Sequence, residues 1–473
     1  MNPLNVFYIE PDNIVTDFPQ PERIVSAGKS LWQFDKSASA VLRLEIPELP
    51  VECCGVRIEL KLAGQVNADA GVEVFACRII QNGKIIESAP AIVVPDEDNL
   101  WRTVTLESCA LIDPAVTGEL QIFRCTEDPC DSFSGKSGLA AVVITALRAP
   151  ESAKVVEDSP GYNSWPMCQS MKGKLVCIYS RGNAHNIYEP TRGVYARVSS
   201  DGGRSWEAEH VVCNTPGRGD VSIGKGIDDS GNCLFWVRHS GKDGFRHRLY
   251  RSIDGKNFEC IAEPDLPLDV IQITDIFHVP GVGLMALYFA GSYQLGSLNY
   301  WGKLVSTDNG RSWQNCVVEK SLGIDQWPTE PAAVYLGNGR ILVIARNELK
   351  ENSARRAQFQ LISVDYGHTW RKFKTNITDV YISTPSLVYD PAAECVSCYY
   401  FQRGKGILNR RKADVKDIFE SPCRWPAPET VAIGSCEVCE AGNVNAVAWN
   451  GRHILAYYSG TMPDTAVYTT SVE

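Results

Sequence analysis

The most evident chemistry in this sequence lies in charged side chains that recur at the ends of strand-like segments. Carboxylates stand where the first strands of successive repeats begin: Asp220, Asp275 and Glu330. Arginines stand where the second strands end: Arg181, Arg238, Arg346 and Arg403. Because a guanidinium group binds a carboxylate through two parallel hydrogen bonds, this pattern predicts an anionic ligand. The simpler alternative is that these charges pair with one another around a solvated channel mouth.

The loops that connect these strands add polar and aromatic side chains: Asn183, His185, Tyr188, Glu189, Tyr293, Tyr300 and Trp301. We assign substrate binding to His185, Glu189, Tyr300 and Trp301, together with Arg181, Arg238, Asp220 and Asp275. The carboxylates are spread along the chain without a tight cluster or a His-rich segment. We therefore predict no cofactor and no metal site.

A repeated turn motif identifies the elements that carry these residues. Ser199–Trp206 has the pattern S-x-D-x-G-x-[ST]-W, which recurs at Ser306–Trp313 and Ser363–Trp370, with a weaker copy at Ser252–Phe258. In such a turn the Asp accepts backbone N–H bonds, the Gly adopts a positive φ, and the aromatic residue anchors the hairpin. A period of about 55 residues is typical of a β-propeller.

A second repeat, in different residues, gives the number of blades. The apolar second strands are Leu175–Tyr179, Leu234–Val237, Leu284–Phe289, Ile341–Ala345, Val396–Phe401 and Ile454–Tyr458. First strands open near Trp165, Asp220, Asp275, Glu330, Thr384 and Asn443. We predict an all-β, six-bladed propeller over residues 151–473, in which Thr465–Val472 pairs with Val155–Val156 to close the ring.

The direction of the strands then places the charged residues. Successive strands of a blade are antiparallel, so the starts of first strands and the ends of second strands share one face. The S-x-D-x-G turns lie on the opposite face. The first of these faces is therefore the predicted functional face.

Residues 1–150 form a separate predicted domain. Strand-like segments alternate through it: Ala40–Ile46, Gly55–Leu62, Gly71–Ile80, Trp101–Leu106, Gly118–Phe123 and Gly138–Leu147. This pattern favours a β-sandwich of the jelly-roll kind. Attachment, homo-oligomerisation and an accessory glycan-binding role all remain open for it, and we expect it to be dispensable for chemistry.

Composition excludes several classes of function. The net charge of −10 argues against nucleic-acid binding through phosphates, and no apolar run is long enough for membrane insertion. The N-terminus has no basic segment followed by an apolar one, so we predict synthesis in the cytoplasm without a signal peptide. The 17 cysteines then fit reduced, packed thiols, including the C-x-x-C pairs Cys395/Cys398 and Cys436/Cys439.

With its S-x-D-x-G turns, or Asp boxes, the chain resembles the sialidase (neuraminidase) superfamily over about 320 residues. The segment from Glu330-Pro331 to Arg346 is similar to the family's central Glu and an Arg of its substrate-gripping triad. The resemblance implies that Glu330, Arg346 and Arg403 are the catalytic residues. The chain departs from the family where Trp165-Pro166 replaces its first Arg, and where Asn443 stands near the position of its nucleophilic Tyr.

Bacteriophage endosialidases look similar in these departures, since they have Trp-Pro, two arginines and a central Glu. The leading hypothesis is therefore a sialidase-like glycoside hydrolase that acts on an acidic oligo- or polysaccharide, exo- or endo-acting, with a virion or tail component as one setting. The alternatives are a non-catalytic propeller that binds a glycan or a protein, and a lyase or neutral-sugar hydrolase on the same scaffold.

Overall fold

The computed structural model shows a protein built almost entirely of β-strands. It describes residues 5–10, 22–26, 29–34, 41–46, 48–50, 53–63, 73–87, 91–93, 101–107, 115–125, 137–148, 153–291, 300–320, 328–347, 357–380, 383–404, 406–435 and 440–473. One short α-helix, α1 (Val415–Glu420), is present in these ranges. The predicted all-β class is confirmed. In the same ranges, no helix has the length and apolar character needed to cross a membrane.

The chain divides into two compact units. The first comprises residues 1–150 with 350–357 and 376–379, and the second comprises the rest. Most of the first unit thus precedes residue 151, although two short later segments group with it. The first unit contains β1 (Asn5–Ile9), β2 (Glu22–Ser26), β3 (Lys29–Phe34), β4 (Val41–Glu45), β5 (Cys53–Ala63), β6 (Glu73–Gln81), β7 (Lys84–Glu87), β8 (Ala91–Val93), β9 (Trp101–Glu107), β10 (Glu119–Arg124) and β11 (Ser137–Arg148).

Two antiparallel sheets form the first unit. One has the order β2-β3-β11-β5-β9 with β1 also on β11, and the other has the order β4-β10-β6-β7 with β8 on β6. Every second residue of the central strands is apolar and buried, such as Ile58 and Leu60 on β5 and Leu120 and Ile122 on β10. Because alternate residues of a strand share a face, these side chains build one core that both sheets share.

The strands of the second unit fall into consecutive groups in chain order. They are β12 (Lys154–Glu157), β13 (Tyr162–Met171), β14 (Lys174–Gly182), β15 (Gly193–Ser199), β16 (His210–Cys213), β17 (Gly219–Ile227), β18 (Cys233–Gly241), β19 (Gly244–Ser252), β20 (Glu259–Ala262), β21 (Val270–Ile273), β22 (Phe277–Val279), β23 (Gly283–Ala290), β24 (Tyr300–Ser306), β25 (Gln314–Lys320), β26 (Pro328–Tyr335), β27 (Ile341–Asn347), β28 (Phe359–Ser363), β29 (Arg371–Lys374), β30 (Ser386–Asp390), β31 (Cys395–Gln402), β32 (Ile407–Asp414), β33 (Glu429–Ile433), β34 (Ala441–Trp449), β35 (Arg452–Thr461) and β36 (Asp464–Val472).

Four of these groups are separate sheets: β17–β20, β21–β25, β26–β29 and β30–β33. The first and last groups share one sheet of order β16-β15-β14-β13-β36-β35-β34, with β12 also on β36. The first and last groups of strands in the second unit therefore meet in one sheet.

The chain ends of the second unit pair with each other, as the sequence predicts. Strand β12 runs antiparallel to β36, with Val155 opposite Tyr468. The side chain of Asn163 donates to the carbonyl oxygen of Thr465 at 2.8 Å, and Thr465 donates back to the carbonyl of Asn163 at 2.7 Å. Pairing of this kind removes two exposed strand edges.

The Asp boxes have the expected local geometry. Asp201 Oδ1 accepts from the backbone N–H groups of Arg204 and Ser205 at 3.0 Å each, and Gly203 has φ of +84°. The hydrogen bond from the Ser205 hydroxyl is the largest cause that lowers the pKa of Asp201, to about 2. Asp308 and Asp365 are bonded in the same way, so each box is held by an ionised carboxylate.

A buried lysine joins four groups of strands of the second unit. Lys225 on β17 donates to the carbonyl of Cys168 at 2.8 Å, to Asn445 Oδ1 at 2.7 Å and to the carbonyl of Ala446. Its ammonium lies 4.0 Å from Asp275, whose carboxylate also accepts the backbone N–H of Lys225. Burial raises the pKa of Asp275, and the charge of Lys225 opposes that shift.

Candidate functional site

Glu330 lies at a bulge near the start of β26. The register against β27 shifts between Thr329 and Pro331, and Glu330 has a φ of +43°. Positive φ is uncommon for a residue other than glycine and often marks a functional site. Glu330 Oε2 accepts from Arg346 Nη1 at 2.7 Å and from the hydroxyl of Thr384 in a short hydrogen bond. The bulge therefore turns this carboxylate toward the adjacent strand of its own group and toward the neighbouring group that begins with β30.

Three arginines lower the pKa of Glu330 and so favour its ionised form. Burial by itself raises the pKa of this carboxyl, but Arg346, the Thr384 hydroxyl, Arg403 and Arg238 outweigh burial and lower the pKa to about 2. The three arginines come from the second strands β18, β27 and β31 or their ends. Three cations against one carboxylate leave a positive site in a chain of net charge −10.

Arg238 is nearly buried, with an exposed fraction of 4%. It donates from Nη1 to the carbonyl of Ile271 at 2.6 Å, and its guanidinium lies 5.2 Å from the ring centroid of Phe245. Its Nε has no protein acceptor among the described residues. A buried donor that lacks an acceptor costs free energy unless a ligand or water supplies one, so Arg238 favours ligand binding.

Gly442, near the start of β34, packs directly against the side chain of Arg403. A Cβ placed at Gly442 would be 2.6 Å from Arg403 Nε, and the residue has a φ of +146°. Its carbonyl accepts from the hydroxyl of Ser383 at 2.8 Å, which ties β34 to the neighbouring strand group. Gly442 is thus a positioning residue for Arg403.

We expect the Gly442→Ala variant to bind an acidic glycan about tenfold more weakly, because the new methyl group displaces the Arg403 guanidinium. On the assignment of Arg403 to ligand binding, the loss should raise KM and change kcat little. Steady-state kinetics would measure this split, and a melting curve would report the strain of the positive φ. A fall in kcat at constant KM would contradict the positioning role. Gly451→Ala is the control, because Gly451 also has a positive φ and its Cβ would meet open space.

A second cluster surrounds His185 in the loop after β14. Tyr162 and His185 Nδ1 share a hydrogen bond of 2.6 Å, and the imidazole packs edge-on against Trp165 with ring centroids 5.3 Å apart. His185 is half-buried, whereas Tyr162 is fully buried. Trp165 lies at a bulge of β13 with a φ of +49°, before a proline, as Glu330 does on β26. The two bulges are equivalent positions of two first strands.

The hydrogen bonds of Tyr162 determine which nitrogen of His185 carries a proton. Burial is the largest cause that raises the pKa of Tyr162, followed by Tyr458 and Glu440, with which the phenol also shares hydrogen bonds. A phenol has one proton, so when Tyr162 donates to Glu440 its oxygen accepts from His185 Nδ1. The other ring nitrogen, Nε2, is then the one available for proton transfer. Glu440 lies two residues before Gly442, about 7 Å along the strand, so the two clusters adjoin.

Glu189, in the same loop, holds the loop together. Its carboxylate accepts from the backbone N–H of Asn183 at 2.8 Å, from the Thr191 hydroxyl at 2.7 Å and from Arg192 at 3.3 Å. Burial by itself raises the pKa of Glu189, but these hydrogen bonds and the charge of Arg192 outweigh burial. The pKa of Glu189 therefore lies below its ordinary value. A carboxylate with this many donors is ionised and engaged, so His185 is the better proton donor of the loop.

Two predicted binding residues are engaged with side chains other than Glu330. Arg181 forms a bidentate pair with Glu209, with two N–O distances of 2.8 Å, and lies 3.8 Å from Glu157. Asp220 is fully buried and bonds His239 Nδ1 at 2.7 Å. The structure brings neither of them to the arginine cluster.

Three further predicted residues are also placed elsewhere. Asp275 follows β21 instead of opening a first strand, and it lies beside Lys225. Trp301 is buried in a hydrophobic core and donates to Glu319 at 2.9 Å. Tyr300 is half-buried and donates to Asp269 at 2.8 Å. Tyr293 and the pair Cys436/Cys439 lie outside the described residues.

Sequence reasoning missed several members of the site: Tyr162, Tyr458, Glu440, Gly442 and Thr384. Thr384 opens a predicted first strand, and this place in the repeat could have identified it. The two tyrosines stand within strands that alternate or run apolar, and nothing local distinguishes them from core residues. The buried side chains of Cys395 and Cys398 agree with the packed thiols expected from the sequence.

No protein-family model and no curated protein matches the sequence. Solved structures with a similar fold include a protein of unknown function from Dyadobacter fermentans, with a TM-score of 0.56 and 16% identity over 68% of this chain and 99% of that one. A Hadza microbial sialidase has a TM-score of 0.53 and 11% identity over 91% and 95%. The NanB sialidase of Streptococcus pneumoniae has a TM-score of 0.51 and 10% identity over 93% and 98%. The chain therefore has a sialidase-like fold.

Proposed function

We propose that this protein is a sialidase-like glycoside hydrolase that acts on an acidic glycan. The observation that carries the proposal is the convergence of Arg238, Arg346 and Arg403 on Glu330. Guanidinium groups from three strand groups leave a net positive site that suits the carboxylate of an acidic sugar. The likeness to sialidases at low identity supports the fold and leaves the chemistry to be argued from these residues.

The residues suggest a division of roles. The arginines hold the carboxylate of the sugar, and His185 Nε2–H donates a proton to the glycosidic oxygen as the C–O bond breaks. The ionised Glu330 then stabilises the positive charge that develops on the sugar ring. Water adds to the anomeric carbon and returns its proton to His185, so the enzyme is restored.

A pKa near 2 makes Glu330 a poor general base at neutral pH, because proton transfer works best when the catalytic pKa lies near the working pH. An imidazole ordinarily titrates close to neutrality. For this reason we assign electrostatic stabilisation to Glu330 and proton transfer to His185, with Tyr162 and Glu440 as positioning residues.

The alternative of a pure binding protein shares the same arginines, so an assay must separate binding from bond cleavage. The purified full chain would be incubated with sialyllactose, oligosialic acid, a polysialic acid capsule and a neutral polysaccharide. New reducing ends would be counted, and products would be sized by anion-exchange chromatography. Monomer would indicate exo-action and a ladder of oligomers endo-action.

The proposal predicts new reducing ends from at least one acidic substrate and none from the neutral one. Saturable binding of an acidic glycan without cleavage would establish the binding alternative instead. Cleavage of the neutral polysaccharide alone would overturn the assignment of the arginines to a substrate carboxylate.

A further inference from the structure

A cavity of about 450 Å³ lies on the Asp-box side of the second unit, where the first and last strand groups share a sheet. Its lining includes Lys154, Arg204, Trp449, Arg452 and Thr470. Strand β34 runs from Ala441, beside Gly442 and Arg403, to Trp449 at this cavity. At about 3.3 Å per residue the cavity is on the order of 25 Å from the Glu330 site, so it is a separate feature.

Positive charge dominates the lining. Lys154 has no ion pair among the described residues, and Arg204 uses its Nε for the carbonyl of Asp201 at 2.9 Å while its outer nitrogens bond no described residue. The acidic groups nearby are engaged: Asp201 in its own box, and Glu473 with Arg452 at 3.2 Å. A positive cavity in a chain of net charge −10 favours an anionic ligand.

Trp449 gives the cavity an aromatic wall with a hydrogen-bond donor. Its Nε1 lies against Gly202, where a Cβ would be only 2.9 Å away, and it bonds no acceptor in the described part of the chain. The indole is half-buried, so one part is anchored in the core and another is open to the cavity. Aromatic rings and N–H donors together suit the apolar and hydroxyl faces of a sugar.

We propose that this cavity binds a short segment of an anionic saccharide, at a site separate from Glu330. Its volume is in the range of about 300–1,000 Å³ that small-molecule sites occupy. Charge selects the acidic sugar, while Trp449 and Thr470 supply the contacts that a simple anion would not use. The proposal does not depend on hydrolysis at Glu330, because it rests on different residues on the opposite side.

The test uses the full chain carrying Arg346→Ala and Arg403→Ala, two substitutions that weaken binding at the Glu330 site. Isothermal titration would measure a sialic-acid hexamer and a galacturonic-acid hexamer, with maltohexaose as the neutral control. We expect the acidic hexamers to bind and maltohexaose to bind at least about tenfold more weakly. Adding Lys154→Ala, Arg204→Ala and Arg452→Ala should weaken the acidic hexamers by about tenfold, the combined effect of three partly exposed charges.

A matched triple variant replaces equally accessible cations elsewhere: Lys242→Ala, Arg311→Ala and Lys416→Ala. Arg311 occupies the same position of the third Asp box as Arg204 does in the first. This control should leave the affinity unchanged, and Trp449→Phe should lower it several-fold with an unaltered melting temperature. Equal affinity of the two triple variants, or equal binding of maltohexaose, would overturn the proposal. Saturation of the cavity by acetate alone would show an anion site and overturn the saccharide assignment.

In the otherwise unchanged chain, the galacturonic-acid hexamer should bind in two steps, and the Lys154/Arg204/Arg452 variant should weaken one of them by about tenfold and leave the other unchanged. Two unchanged affinities would count against the cavity. This measurement also separates the two proposals, since a chain that cleaves no glycan at Glu330 would still bind a hexamer here.

Discussion

Replacement of Glu330 by glutamine is expected to lower turnover on an acidic glycan by about 100-fold or more, the size usual for loss of a preorganised charge. The amide keeps the shape of the carboxylate and still accepts from Thr384. It removes the negative charge that faces the developing positive charge on the sugar. Steady-state kinetics on a substrate found in the reducing-end assay would measure the loss.

Glu429→Gln is the matched control. Glu429 pairs with Arg410 at 2.7 Å, the same N–O distance as in the pair of Arg346 and Glu330, but it lies on β33 away from the arginine cluster. The control should lose stability without losing turnover. Near-normal turnover of the Glu330→Gln variant would end the catalytic assignment of Glu330.

The low pKa of Glu330 also predicts how this residue affects stability. Burial raises its pKa, and the arginines with Thr384 lower the pKa from 4.5 to about 2. Its ionised form therefore adds stability that is fully present above pH 4.5 and is lost as the pH falls through about 2. The melting temperatures of the wild type and the Glu330→Gln variant should converge over that interval.

Replacement of His185 by asparagine is expected to lower turnover by about 100-fold, because the leaving oxygen would lose its proton donor. In the variant, kcat should also lose the dependence on pH that a general acid produces. As a general acid, His185 is active when protonated, so wild-type kcat should fall as the pH rises through the pKa of the imidazole. That limb should be absent from the variant.

The chain offers a close control in His453, which shares a 2.6 Å hydrogen bond with Tyr399, as His185 does with Tyr162. His453 lies near the start of β35, at the Asp-box end, so His453→Asn should keep its activity and its pH profile. Tyr162→Phe should reduce kcat about tenfold and shift that limb, since it removes the hydrogen bond that orients the imidazole and that contributes to the imidazole pKa. A His185→Asn variant that retained the wild-type pH profile would show that another group donates the proton.

The periodic part of the structure followed from the sequence. Asp boxes recur because each must place a carboxylate opposite its own backbone N–H groups, and this requirement is local. Apolar second strands recur because these strands are buried on both faces, as β27 and β31 are over their whole length. These rules placed Glu330, Arg346 and Arg403 near strand ends on one side, and the structure brings these three together.

The direction of a side chain was decided by the tertiary structure. Arg181 and Asp220 stand at strand ends, as Arg346 and Glu330 do, yet they point to Glu209 and His239. Neighbouring residues of a strand face opposite ways, so a bulge of one residue changes which side chain reaches the site. The bulges at Trp165 and Glu330 depend on a positive φ, for which the sequence carries no reliable signal.

The cluster around His185 depended on tertiary structure even more. Tyr162 meets Glu440 and Tyr458, which follow almost three hundred residues later, because β13 and β36 share a sheet. Sequence alone determined the all-β class, the repeat and the pairing of its ends, since these follow from local hydrogen bonds in the turns and from the burial of short apolar strands. Only the assembled sheets decided which polar groups meet, because contacts between distant strands depend on register and twist that no local pattern encodes.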